Sequence, residues 1–302
     1  MKIFSKIGYA ITLAFFGLIW ILPRPIKQLL AFVIYILVGH VIRYRRKVAL
    51  TNLRNSFPEK SKKELRRIVN QYYLHLSYLV IEIIDLRLSP IKWIQNSCKV
   101  ENTDEVIRLR TEKRNLYIVL GHFGNWEFGN ALLQLFNYKS VAIYKKIENQ
   151  VFDQLMFDMR SRLGSEPIEM HSAVRQLVKM VQEEPFAVLS VADQSPLYSE
   201  TQLWIDFLNQ DTNVFIGPER LSKKFDMAVV YVEIRRIGFH KFNVCVKTIT
   251  DKPKETAEYE IITAYYKLLE ESIRKYPSNW MWTHRRWKRR REKAPANHQN
   301  HL

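Results

Sequence analysis

The sequence predicts an α/β fold: a mixed, mostly parallel sheet flanked by helices, preceded by a membrane-associated helical hairpin. Three observations predict it. Beyond Pro90 the apolar runs Leu116–Leu120, Phe186–Val191, Met227–Ile234 and Phe242–Ile249 have strand length, and stretches of helical period at Asn125–Phe136, Val151–Leu163 and Ala173–Gln182 lie between the first two. Strands alternating with helices build a parallel sheet, whereas Arg235-Arg236-Ile237-Gly238 between the last two runs predicts a hairpin at the sheet edge. At the N-terminus, two apolar stretches are broken by proline and basic residues.

The first stretch, Ile7 to Leu22, carries no charge and lies between Lys2 and Lys6 on one side and Pro23-Arg24-Pro25 on the other. It is shorter than the roughly 20 apolar residues that span a bilayer comfortably. The second, Leu29 to Ile42, ends in Arg43-Tyr44-Arg45-Arg46-Lys47. This pattern suits a helical hairpin dipping into one leaflet, or one tilted span, with the cations at lipid headgroups; buried core helices are the alternative. A signal peptide fits less well, because no small-residue cleavage site follows Leu22. Residues 1–42 are therefore assigned to the membrane-associated segment, 43–293 to the main domain and 294–302 to a disordered tail.

Ser61-Lys62-Lys63-Glu64 reads as a capping box, and the apolar residues from Leu65 to Ile84 keep a 3.6 period that carries a helix to Leu86. His75 sits among aromatics on it and reads as structural. A last amphipathic helix covers Ala257–Tyr276 and is stopped by Pro277.

Forty-seven Lys and Arg against 30 Asp and Glu give a net charge of +17 and call for an anionic partner: nucleic acid, an acidic protein or a phosphate-bearing membrane. An apolar N-terminus favours the membrane, since nucleic-acid binding needs none. Cys98 and Cys245 belong to no CxxC or Cys/His cluster, so neither a disulfide framework nor a metal site is implied, and a reducing, cytosol-facing location fits.

The chemistry-bearing residues gather where strands end. Leu116–Leu120 runs into Gly121-His122-Phe123-Gly124-Asn125-Trp126-Glu127, which puts His122 at the carboxyl end of a strand, where open α/β sheets place their sites. A loop histidine and a glutamate in the following first turn can meet, and an imidazole held by a carboxylate on one nitrogen accepts a proton on the other. The spacing itself carries little: eight histidines and 30 acids in 302 residues predict about 0.8 such pairs by chance. A histidine that only caps or packs is the alternative. Asp193-Gln194 follow Phe186–Val191 in the same manner, or form a local turn. Tyr144-Lys145-Lys146 precede the helix on which Asp153 and Arg160 share a face, an anion or ion-pair site or else a solvated salt-bridge face. From Trp280 to Arg291, indoles alternate with a dense cationic run suited to a lipid interface or to nucleic acid, and the N-terminus favours the lipid.

Taken in order, these clusters resemble the lipid A late acyltransferase family, the lauroyl and myristoyl acyltransferases of bacterial lipopolysaccharide synthesis within the lysophospholipid acyltransferase superfamily. The likeness runs from about Tyr44 to Lys288. It includes Tyr44-Arg45-Arg46 with Asn52-Leu53, the Gly121–Glu127 loop, Tyr144-Lys145 with Asn149, Asp153, Arg160 and Gly164, then Asp193-Gln194, Gly217-Pro218 and Trp280-Met281-Trp282 with His284 to Lys288. Many relatives have Arg-Pro after the tyrosine matched by Tyr144, where this chain has Lys145-Lys146.

The resemblance implies a glycerolipid-acyltransferase-like fold and O-acyl transfer from acyl carrier protein, or another acyl thioester, to a hydroxyl of a lipid A precursor or related phosphorylated glycolipid. It places the reaction at the cytoplasmic face of the bacterial inner membrane. His122 and Glu127 would be the catalytic dyad, with Glu127 orienting the imidazole, and Gly124, Asn125, Tyr144, Lys145, Arg160, Asp193 and Gln194 would bind substrate. Backbone N–H groups of Gly121–Asn125, or Arg160, would meet the oxyanion. No metal or organic cofactor and no nucleic acid is implied. A lipid or thioester hydrolase and a basic membrane-associated binding protein are the rival readings.

Overall fold

The structure, a computed structural model, describes residues 3–181, 184–196 and 201–291; the tail assigned to 294–302 lies outside them. The N-terminal hairpin is present as α1 (Ile3–Trp20) and α2 (Arg24–Tyr35), the latter continuing as a π-helical turn to Val41. Pro23 sets the corner, extended and directly ahead of the first turn of α2. Phe4, Ile7, Ile11, Phe15 and Leu18 on α1 and Leu29, Phe32, Val33 and Leu37 on the second arm are exposed. An outward apolar face of this extent suits contact with lipid or with a partner. Among the described residues, Arg24–Val41 is long and apolar enough to cross a bilayer, while Phe4–Trp20 is shorter.

The main domain begins with α3 (Arg46–Ser56) and α4 (Lys62–Leu88). The capping box forms: Ser61 Oγ accepts from Glu64 N, and Glu64 returns a bond to Ser61 N. Then follow α5 (Ile91–Asn96), β1 (Cys98–Glu101), α6 (Asp104–Thr111), β2 (Leu116–Leu120), α7 (Gly129–Leu132), β3 (Lys139–Tyr144), α8 (Gln150–Arg162), β4 (Ser165–Glu169), α9 (Ala173–Met180) and β5 (Phe186–Val191). A small antiparallel pair, β6 (Leu203–Phe207) and β7 (Gln210–Val214), leads to α10 (Gly217–Phe225), β8 (Ala228–Gly238), β9 (Lys241–Thr250) and α11 (Glu260–Lys275).

Seven strands form one sheet in the order β1-β9-β8-β2-β5-β3-β4, parallel throughout except between β8 and β9. The predicted β8–β9 hairpin exists, but not at the edge: β1 pairs with β9 and covers it. β1 was invisible because Cys98-Lys-Val-Glu101 has no apolar run. Arg235 and Arg236 lie inside β8 rather than in the turn, which falls at Phe239-His240. The helix expected over Asn125–Phe136 is broken into a 3-10 turn at Trp126–Phe128, α7, and a second 3-10 turn at Leu133–Phe136.

Alternate residues of the central strands enter opposite cores, as the pleat requires. Tyr117, Val119, Phe186 and Val188 face the side covered by α4, α9 and α11; Ile118, Leu120, Ala187 and Leu189 face α7 and α8. The long helix α4 touches all three hydrophobic clusters, including the small one it shares with the hairpin through Ile81 and Ile84.

Candidate active site

β2 and β5 are parallel neighbours in the register Leu120↔Val191, so the residues two positions beyond each, His122 and Asp193, emerge side by side. His122 Nδ1 lies 2.6 Å from Asp193 Oδ1, and the His122 backbone N–H donates to Asp193 Oδ2 at 2.8 Å. Trp280 Nε1 donates to the same Oδ2 at 2.7 Å. Burial alone would raise the Asp193 carboxyl, but the His122 charge and these hydrogen bonds hold it down to about 2. An ionised Asp193 accepts a hydrogen bond from Nδ1–H, leaving Nε2 as the acceptor, and there the Gln194 amide donates at 2.9 Å. Trp126 packs edge-on against the imidazole at 4.6 Å between centroids. His122 keeps 15% of its side chain open.

Two glycines make the loop possible. At Gly124 φ is +61°, and a Cβ would fall 1.6 Å from the Ile234 carbonyl oxygen. At Gly121 a Cβ would meet Leu269 Cδ1 at 2.6 Å and crowd Asp193. The loop is stitched to the C-terminal strap by Gly124 N to Asn279 O and Met281 N to His122 O.

Glu127 reaches the same neighbourhood but bonds elsewhere. Arg160 grips it with two parallel bonds, Nε to Oε2 at 3.0 Å and Nη2 to Oε1 at 2.6 Å, and Trp126 Nε1 and Asn130 Nδ2 complete its shell. Burial would raise the Glu127 carboxyl, yet the Arg160 charge and hydrogen bonds, with the nearby His122, hold it below the usual range. The orienting contact expected of Glu127 is therefore made by Asp193, because the strand register, not the five-residue spacing, decides which acid meets Nδ1. Among the described residues no hydrogen bond joins His122 to Glu127. Arg160 does not pair with Asp153 either: Asp153 Oδ1 accepts from Ile147 N and secures the turn before α8.

A cleft of about 460 Å³ opens beside Gln194, walled by Tyr144, Lys145, Met170, Ala173, Val174, Ser195, Phe215, Arg220 and Leu221. Tyr144, Lys145 and Gln194 thus share one open space, and Arg160 stacks its guanidinium 5.8 Å from the Tyr144 ring. Gly124 and Asn125 do not face it. Asn125 is wholly buried and donates to Glu82 Oε2 at 3.1 Å, and Asp193 is 2% exposed, so neither lines the open space. Of the oxyanion donors expected from the loop, His122 N, Phe123 N and Gly124 N are engaged with Asp193, Gly121 O and Asn279 O. Arg160 Nη1 makes no hydrogen bond among the described residues.

The indole-rich segment packs its indoles inward while Arg285, Lys288, Arg290 and Arg291 stay exposed. Trp280 and Trp282 are buried, and Arg286 is wholly enclosed, donating to Asn213 and to Tyr266 Oη. Asn52 Nδ2 pins the strap by donating to the Trp282 and His284 carbonyls. Burial pushes His284 down to about 4, so it stays neutral and its Nε2 accepts from Ser195 N. Sequence reasoning passed over Glu82, whose only signal was a charge inside Val80-Ile-Glu-Ile-Ile84.

The profile of the bacterial lipid A biosynthesis acyltransferases matches residues 2–289. The chain is 22% identical to the lipid A biosynthesis palmitoleoyltransferase of Escherichia coli K12 over 93% of its own length and 92% of the relative's. It is 21% identical to the lipid A biosynthesis lauroyltransferase of the same organism, over 95% and 94%. A lipid A biosynthesis acyltransferase of Haemophilus influenzae is 22% identical over 91% and 88%. A match that spans nearly the whole chain, strand-end site and strap included, makes this protein a member of the bacterial lipid A biosynthesis acyltransferase family.

Proposed function

We propose that the protein transfers a fatty acyl chain from an acyl thioester, carried by acyl carrier protein, to a hydroxyl of a phosphorylated lipid A precursor, with His122 as general base. The observation that carries this reading is the imidazole itself: Nδ1 anchored on an ionised carboxylate and Nε2 bonded to Gln194, which lines the cleft, with His122 and Asp193 both at the carboxyl ends of parallel strands.

The acceptor hydroxyl displaces the Gln194 amide and donates to Nε2. As its oxygen attacks the thioester carbonyl, the proton passes to Nε2 and Asp193 stabilises the imidazolium. The tetrahedral intermediate then collapses, the C–S bond breaks and the imidazolium returns its proton to the leaving thiolate. Arg160, held flat by Glu127, offers Nη1 to the developing oxyanion, so the His122/Glu127 pair acts through two partners rather than by direct contact. Lys145 at the cleft rim suits a phosphate of the acceptor, and the +17 chain suits an acidic carrier protein. The exposed apolar face of the hairpin, with Arg43, Arg45 and Arg46 beside it, supports attachment to the cytoplasmic face of the inner membrane.

Purified protein incubated with an acyl carrier protein thioester and a phosphorylated glycolipid tests this. Mass spectrometry is expected to show the acceptor heavier by one acyl group, with free carrier thiol released in equal amount. Thiol release with free fatty acid and an unchanged acceptor would instead identify a hydrolase.

A further inference from the structure

Behind the Gly121–Glu127 loop lies a polar cluster that takes no part in this chemistry. Glu82 on α4 is wholly buried. Arg236 on β8 grips both its oxygens, Nη2 to Oε2 at 2.6 Å and Nη1 to Oε1, and Oε2 also accepts from Asn125. Arg236 Nε donates to His75 Nδ1 at 2.8 Å, and His75 is buried. Arg236 N donates to Asn279 Oδ1, and Asn279 O accepts from Gly124 N. The two residues that follow His122 and Phe123 are therefore held by backbone and side chain at once.

The same part of α4 holds the N-terminal hairpin. Three residues beyond Glu82, Asp85 binds Lys27 Nζ of α2 at 2.5 Å, with both side chains buried. Its other carboxylate oxygen lies 2.8 Å from His240 Nε2 in the β8–β9 turn. His240 N donates to Glu82 Oε1 at 3.2 Å, and Arg24 Nη2 donates to Phe239 O at 2.8 Å. A helix whose one task is to rest in lipid gains nothing from a buried lysine, whose desolvation is costly and whose pairing gives register rather than affinity.

We propose that Glu82 and Arg236 are positioning residues for the loop that carries His122, and that the hairpin, through Lys27 and Asp85, belongs to that loop's support as well as anchoring the chain. The proposal rests on His122 being the base, so its test includes a readout that needs no turnover. Lys27→Met, Lys27→Arg and Glu82→Gln are compared in the full chain in detergent micelles. Two quantities are measured per folded molecule: kcat and KM on a detergent-dispersed phosphorylated glycolipid, and the rate of His122 modification by diethyl pyrocarbonate, read by peptide mass mapping.

Lys27→Met makes the hairpin more apolar, so a pure anchor predicts no change in either. Support of the loop predicts a kcat lower by about tenfold with KM held within about twofold, faster His122 labelling and unaltered membrane recovery. Lys27→Arg should restore wild-type behaviour, and Glu82→Gln should give the same pattern more strongly. If even the wild-type protein transfers no acyl group, the general-base reading fails, while the labelling still decides the support. Wild-type kcat and wild-type labelling in Lys27→Met overturn the proposal whatever Glu82→Gln does.

Discussion

The two sides of the Gly121–Glu127 loop use the same residue types for different ends. In front, the His122–Asp193 and Arg160–Glu127 pairs each have one member buried at 2% exposure and the other open by 15–16%. Behind, Glu82 and Arg236 are closed at 0% and 7%. A pair with both side chains enclosed can hold a backbone but is poorly placed to exchange a proton with a ligand. A pair with one open atom has its charge fixed by the hidden partner and its reactivity offered by the exposed one. On the proposed reading, access rather than residue type separates machinery from scaffold.

Mutations sharpen that contrast in a definite order. His122→Ala removes the open member and should lower kcat by about 10² to 10⁴ per folded molecule. Asp193→Asn should come close to that loss, because an amide facing Nδ1 permits the wrong tautomer. Initial-rate assays on the two variants, side by side, check the ranking. Glu127→Gln should cost less rate than Asp193→Asn; the reverse order would give Glu127 the orienting role that the geometry assigns to Asp193. Arg160→Lys keeps the charge and loses the fork, and should lower kcat by on the order of 10²-fold if Nη1 meets the oxyanion. Lys62, exposed at the start of α4, should tolerate Ala with at most a small, salt-dependent change in rate.

The pH dependence separates hidden from open members further. The folded Asp193 carboxyl, at about 2, lies below the ordinary aspartate value of about 3.9. Its contribution to stability is therefore fully present above about pH 4 and is lost as pH falls through about 2. The gap in melting temperature between wild type and Asp193→Asn should be widest above pH 4 and narrow steadily on acidification. A constant gap would mean that Asp193 stabilises by packing alone.

Much of this was legible in the sequence because strand ends announce themselves. The limits of β2 and β5 follow from apolar runs, and with them the strand-end positions of His122 and Asp193. Which acid meets the histidine was not legible, since it depends on the register Leu120↔Val191 between segments about 70 residues apart. The spacing of His122 and Glu127 drew notice because it is local. β1, β3 and β4 were hidden because their polar residues are tolerated toward the sheet edges. In the segment from Trp280 to Arg291 composition could not tell the cations that stay exposed from Arg286, which is buried against Asn213 and Tyr266. Gly124 could be flagged by type, but only the Ile234 carbonyl behind it explains why no other residue fits.

The most direct test of the central claim is single-turnover acyl transfer by wild type and His122→Ala, prepared identically and saturated with an acyl carrier protein thioester and a phosphorylated glycolipid. The general-base account predicts that His122→Ala still binds both substrates and forms acylated product at least about 100-fold more slowly. Product formation by His122→Ala at close to the wild-type rate would contradict it.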